Sequence, residues 1–165
     1  MHWYLILTKP RQEFLALKNL EYQGYECYLP TRPTQHLRSG IIKVENGPLF
    51  PRYLFVRLGT HSSDKSWGPI RSTIGVSGLV KFGVEPAKVD ERLIEQLRLH
   101  ESLMQGNPKN LYSSGDQVVV LDGPFAGIEA VFEMSDGDSR VIVLIELLGK
   151  KVSLKVSPVS LRKAS

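Results

Sequence analysis

One cysteine in 165 residues, Cys27, leaves no internal disulfide framework and no multi-cysteine metal site. No apolar run approaches the ~20 residues that a bilayer-spanning helix needs. The opening Met1-His2-Trp3-Tyr4-Leu5-Ile6-Leu7 lacks both a basic n-region and a small-residue cleavage site. The histidines His2, His36, His61 and His100 are scattered, with no metal-ligand spacing and no neighbouring carboxylate pair. Gly123-Pro124-Phe125-Ala126-Gly127 holds two glycines but not the GK[ST] of a phosphate-binding loop. Repeats and low-complexity tracts are missing too. These absences lead to an expectation of a soluble, cytoplasmic protein that is not an enzyme and needs no cofactor or metal. The 42% apolar and 23% charged content is that of an ordinary globular chain and excludes wholesale disorder.

The charge that is present is unevenly placed. Lys and Arg number 21 against 17 Asp and Glu, a formal +4. Residues 1–103 carry 14 basic and 10 acidic side chains, whereas 104–165 carry 7 of each. Any pull on a polyanion therefore belongs to the first part of the chain.

The segment from Met104 to Ser113, rich in Gly, Asn, Pro and Ser, reads as a linker between domains at 1–103 and 114–165. In the first domain, Trp3–Leu7 reads as a strand and Gln12–Gln23 as a helix. Phe14, Leu17 and Leu20, with Leu15, form its apolar stripe, and Gly24 stops it. Tyr25–Leu29 is a second strand. Gln35–Val44 reads as a hairpin turning at Ser39-Gly40, with Asn46-Gly47 as a further turn signal. Arg52–Leu58 alternates, with Leu54, Val56 and Leu58 on one side and Tyr53, Phe55 and Arg57 on the other. Ser77–Phe82 is a strand, and Asp90 caps a helix to about Leu103 whose buried face holds Leu93, Ile94, Leu97 and Met104. The expected fold class is α+β, a sheet covered by helices.

Beyond the linker the period shortens. Gln117–Leu121, Ile128–Met134, Arg140–Leu148 and Val152–Val156 read as strands, with Ser135-Asp136-Gly137-Asp138 as a turn, and point to a small antiparallel β-barrel. The alternative is helical, since Leu, Glu, Ala and Met are good helix formers in Ile128–Met134 and Leu144–Leu148. The Val/Ile-rich Arg140–Val143 tips the preference to strand.

Four segments resemble the NusG family of transcription elongation factors, which joins an N-terminal α+β sandwich (the NGN domain) to a C-terminal KOW barrel. They are Trp3–Ile6 with Lys9; Pro48-Leu49-Phe50-Pro51-Arg52-Tyr53-Leu54-Phe55-Val56; Gly75-Val76 with Val80–Gly83; and Gly115–Val118 with Gly123–Gly127. The short length, Gly127–Phe132 and Leu144–Lys150 are similar to the specialised RfaH-like branch. In that branch the C-terminal domain folds either as an α-helical hairpin masking the N-terminal domain or, once released, as a KOW barrel. The RfaH pattern has an acidic residue just before the PLFP motif, bridged to a C-terminal arginine. Here Gly47 stands at the acidic position and Arg140 matches the arginine, so a barrel or a shifted equilibrium is expected.

The resemblance implies that Leu49, Phe50, Tyr53 and Phe55 bind the β′ clamp helices of RNA polymerase, with the β subunit as a second contact near His61-Ser62-Ser63. It implies that Lys9, Arg11, Gln12, Lys18, Arg38, Arg71 and Thr73 meet the displaced non-template DNA strand, with Gln12 and Thr73 offering base-edge hydrogen bonds. Ser39 and Ile74 stand where the branch has arginines. The implied activity is elongation and antitermination by a monomer that suppresses pausing on a subset of operons. A small-subunit ribosomal protein is the implied second partner. The alternatives are a general NusG-type factor engaging Rho, or a KOW-type ribosome- or RNA-binding module.

Overall fold

The computed structural model describes residues 1–59, 67–106 and 126–149. The elements run β1 (His2–Thr8), α1 (Glu13–Tyr22), β2 (Glu26–Tyr28), β3 (Thr31–Arg38), β4 (Ile41–Pro48) and β5 (Tyr53–Leu58). They continue with α2 (Gly68–Arg71), β6 (Val76–Leu79), β7 (Lys81–Phe82), β8 (Glu85–Pro86), β9 (Lys88–Val89), α3 (Glu91–Gly106), α4 (Ala126–Glu133) and α5 (Gly137–Leu148). The expected segments Gln117–Leu121 and Val152–Val156, the loop His61–Ser63, the Met104 side chain and the chain from 107 to 125 lie outside the described residues.

β1 is the centre of an antiparallel sheet in the order β2-β5-β1-β6, with β9 also pairing with β1. Its alternation sorts side chains to two faces. Tyr4 and Ile6 join Leu54, Val56 and Leu58 under α1. Trp3 and Leu5 join Phe55 on the other face, where α3 supplies Leu93, Ile94 and Leu97. The alternation read in β5 is therefore the observed one. Asp90 accepts from the Arg92 amide at 2.9 Å at the start of α3, the N-terminal anchoring expected of it. The helix then runs to Gly106, past the expected boundary at 103.

β3 and β4 form a separate two-stranded ribbon whose Arg38↔Ile41 pairing leaves Ser39 (φ 54°) and Gly40 (φ 75°) as the turn. Both φ angles are positive, as a two-residue type I′ connection requires. Asn46 and Gly47 are not a turn. They pair with Pro33 and Arg32 inside the ribbon, and the Thr34 hydroxyl lies 2.9 Å from where a Cβ at Gly47 would stand.

The α1 stripe also needs correction. Phe14 and Leu15 are 49% and 43% exposed, while Ala16 and Leu20 are fully buried. Gly75, at φ 97°, brings its backbone against Ala16, where a Cβ would lie 2.9 Å from the Ala16 nitrogen. Only a small side chain fits at this crossing, so helix packing selects Ala16 over its larger neighbours.

The largest correction is C-terminal. Residues 126–133 and 137–148 are helices and not the strands of a barrel. Their apolar residues Ile128 and Val131, then Val141, Leu144 and Ile145, recur at helical spacing and all are buried. Asp136 caps α5, accepting from the Asp138 amide at 3.0 Å and from the Ser139 hydroxyl at 3.1 Å. Val and Ile prefer strands only weakly, and burial of one helical stripe on a ready apolar surface outweighs that preference.

Candidate functional site

The Phe50-Pro51-Arg52-Tyr53 turn shapes the site. The Tyr53 amide donates to the Phe50 carbonyl at 3.0 Å, and Arg52 takes φ 73°, the pattern of a type II turn with proline at its second position. Arginine is strained there. It is held by its amide donating to the Glu13 carboxylate at 3.2 Å and its Nε donating to the Thr8 carbonyl at 3.1 Å. Glu13, only 6% exposed, thus ties α1 to the turn.

The turn throws Leu49 and Phe50 onto the same face as Tyr53 and Phe55, so the structure brings these four together. Phe50 stands edge-on to Phe55 with ring centroids 6.4 Å apart, and Tyr28 stacks on Phe55 at 6.3 Å. All four are covered, at 5%, 1%, 8% and 0% exposure. Their cover comes from α3 and from the α4–α5 hairpin, which contributes Ile128, Val131, Val141, Leu144 and Ile145 to one continuous cluster with them. Burial raises the Tyr53 phenol above its ordinary pKa.

Polar contacts fasten the cover. Arg140, 6% exposed, donates from Nε to the Leu49 carbonyl at 2.5 Å, and from Nη1 to the Met134 and Ser135 carbonyls at 3.0 and 2.9 Å. Burial, with the Arg32 charge nearby, brings its pKa down to about 10, so it stays protonated at neutral pH. Its guanidinium meets carbonyls, with no carboxylate within ion-pair distance among the described residues. Gly137 meets Pro51 so closely that a Cβ would lie 2.7 Å from the proline ring. His100 of α3 stacks on Phe132 of α4, with centroids 3.6 Å apart and planes 1° from parallel. Burial and the Arg32 charge lower the His100 pKa. Behind it, Glu101 accepts from the Tyr28 and Thr31 hydroxyls at 2.7 and 2.5 Å and ties α3 to the strands.

No feature of the sequence marks Arg32, His100, Phe132 or Gly137 as a site residue. The first three lie far apart in the chain and carry no motif, and only the fold assembles them.

The basic residues occupy the α1 layer, across the sheet from this face. The Lys9 amide donates to the Gly75 carbonyl at 2.8 Å, and the Asn19 side chain donates to the Ile74 carbonyl at 3.0 Å. These bonds hold the 71–75 segment beside the β1–α1 loop. Lys9, Arg11, Lys18 and Arg71 are exposed there, and Gln12 is half-buried. Arg38 stands apart at the ribbon tip beside Glu45, 4.0 Å away. Thr73 does not fit the role expected of it. It is buried, its hydroxyl donating to the Pro69 carbonyl at 2.8 Å and accepting from Gln23 at 2.7 Å, so it has nothing to offer a base edge. Ile74 beside it is 70% exposed.

Trp67 packs against Tyr4 with centroids 4.9 Å apart, a core contact. Burial raises the half-buried Cys27 thiol to about 12, which suppresses thiolate chemistry. Among the described residues no group of three His, Cys, Asp or Glu side chains is placed to hold a metal ion. No helix among them is long and apolar enough to cross a membrane.

Comparison with known proteins gives one consistent family. The family model described as NusG, transcription termination factor nusG, matches residues 1–98. The transcription termination/antitermination protein NusG of Escherichia coli strain K12 is 28% identical over 157 residues, covering 93% of this chain and 86% of its own. Its namesake from Thermus thermophilus is 28% identical over 175 residues, covering 94% and 95%. Among solved structures, one described as domain interaction in Thermotoga maritima NusG matches 75% of this chain and 74% of its own at 24% identity, with a TM-score of 0.44.

Proposed function

The chain belongs to the NusG family of transcription termination factors, and from that premise we propose that it is a specialised, RfaH-like elongation and antitermination factor kept inactive by its own C-terminal helices. Leu49, Phe50, Tyr53 and Phe55 form its contact with the β′ clamp helices of RNA polymerase. One observation carries this reading: the four residues make an apolar, mainly aromatic face that a pair of apolar-striped helices helps to cover. A face that accepts one helical pair suits another of similar chemistry, and an apolar surface of this size needs a partner when bared.

Release of α4–α5 precedes binding. The freed segment then folds as a KOW barrel and meets a small-subunit ribosomal protein. The Val/Ile-rich Arg140–Val143 and the alternating Val152–Val156 sequence support that second fold. Lys9, Arg11, Gln12, Lys18 and Arg71 contact the non-template strand, chiefly at phosphates, with Arg38 reaching it from the ribbon. With Ser39 and Ile74 in place of arginines, DNA selection differs from that of the related branch.

The test is binding of the full chain to transcribing polymerase with Tyr53→Ala and Phe55→Ala combined. Loss of binding, with circular dichroism showing a folded protein, is the expected outcome. Unchanged binding by the folded double variant refutes the assignment.

A further inference from the structure

Arg32 leaves β3 and reaches the C-terminal end of α4, where its Nη1 donates to the Met134 carbonyl at 2.6 Å. The same carbonyl accepts from Arg140 Nη1 at 3.0 Å. The last carbonyls of a helix have no partner within it, and the helix dipole gathers negative charge there, so a cation is favoured at that end. Arg140 comes from the adjoining helix and moves with the hairpin. Arg32 belongs to the sheet side and does not.

We propose that Arg32 is a helix cap supplied in trans: α4 is helical while it is docked because the N-terminal domain provides one of the two cations that satisfy its C-terminal end. This deepens the masking reading above and rests on it. The cap couples two things that are otherwise separable, the position of the hairpin and its secondary structure. Undocking strips Met134 of its Arg32 bond at the moment that Ile128 and Val131 lose their apolar cover, so α4 loses its end and its face together. Short helices are marginal without tertiary support, and α4 has only 8 residues. The same guanidinium, together with burial, disfavours the charged form of His100, which stacks on Phe132 of α4, so Arg32 bears on a second contact of that helix.

The test is amide hydrogen exchange in the full chain, parent against Arg32→Met, with no polymerase present. A lost bond to a charged donor is expected to speed exchange across Ile128–Leu148 by about tenfold to a hundredfold. Amides of β1 and β5 keep their parental rates. Arg32→Lys, which retains a charged donor, falls between the two. Two results overturn the proposal: exchange of the hairpin within about twofold of the parent in Arg32→Met, or equal acceleration in β1 and β5. Since the readout involves no partner, a failed polymerase contact leaves it unaffected.

Discussion

Both faces of the sheet carry a buried apolar cluster, yet they are covered in different ways. On one, α1 follows directly on β1 and is locked by Glu13 on the Arg52 amide and by the Gly75–Ala16 crossing. On the other, α4 and α5 arrive from the far end of the chain and are held by Arg140 and Arg32 on carbonyls, a ring stack and the Gly137–Pro51 contact. The first face is a core in the ordinary sense. The second is a core only while the hairpin stays docked, and burial by itself does not distinguish them. What distinguishes them is whether the cover belongs to the same cooperative unit as the strands.

Deleting the same side chain on each side breaks this comparison most strongly. Leu20→Ala under α1 is expected to cost about 2–5 kcal/mol of global stability, read as a lower denaturant midpoint for the whole N-terminal domain. Leu144→Ala removes an equally buried leucine but is expected to loosen the hairpin alone, leaving the midpoint of β1 and β5 in place. Equal falls in that midpoint show that the two faces are one unit.

Gly137→Ala probes the contact with Pro51. Overpacking there is expected to cost about 1–3 kcal/mol of docking, while alanine raises the intrinsic helicity of α5. Hairpin amides therefore exchange faster in the full chain although the substitution favours helix. Slower exchange shows that the approach to Pro51 carries no docking energy.

The smallest effect is on pH. His100 has a lowered pKa in the docked state, so the docked form prefers it neutral. Docking is therefore complete above the ordinary histidine value of about 6.5 and weakens as pH falls below it, until the lowered pKa is passed. Hairpin protection, corrected for the intrinsic pH dependence of amide exchange, should fall as pH drops through that window in the parent and stay flat in His100→Gln. A flat parental profile removes the histidine from the fastening.

Much of the N-terminal fold was legible in the sequence because strong local signals agreed with the tertiary outcome. The alternation of Tyr53–Leu58, the Ser39-Gly40 turn and the Asp90 cap are of this kind. Where they disagreed, a long-range contact decided. Ala16 is buried because Gly75 approaches it, a fact written 59 positions away. Gly47 sits in a ribbon because Arg32 pairs with it.

In the C-terminal segment the β-branched run Val141-Ile142-Val143 favours strand, whereas Val141, Leu144, Ile145 and Leu148 recur at the 3–4 spacing of a helix. The two patterns coexist in one segment, and the apolar face of the N-terminal domain selects the helical one. Within the candidate site, the cluster around Pro48–Val56 was readable from its motif. Its cover was not, and neither was the part played by Arg32.

Binding to core RNA polymerase by the full chain carrying Leu144→Asp tests the central claim most directly. A carboxylate in a position with no solvent exposure ejects the hairpin while leaving Leu49, Phe50, Tyr53 and Phe55 intact. The account predicts that this variant binds polymerase more tightly than the parent, and that adding Tyr53→Ala and Phe55→Ala abolishes the gain. Affinity equal to or weaker than the parent's, with hydrogen exchange showing the hairpin released, contradicts it.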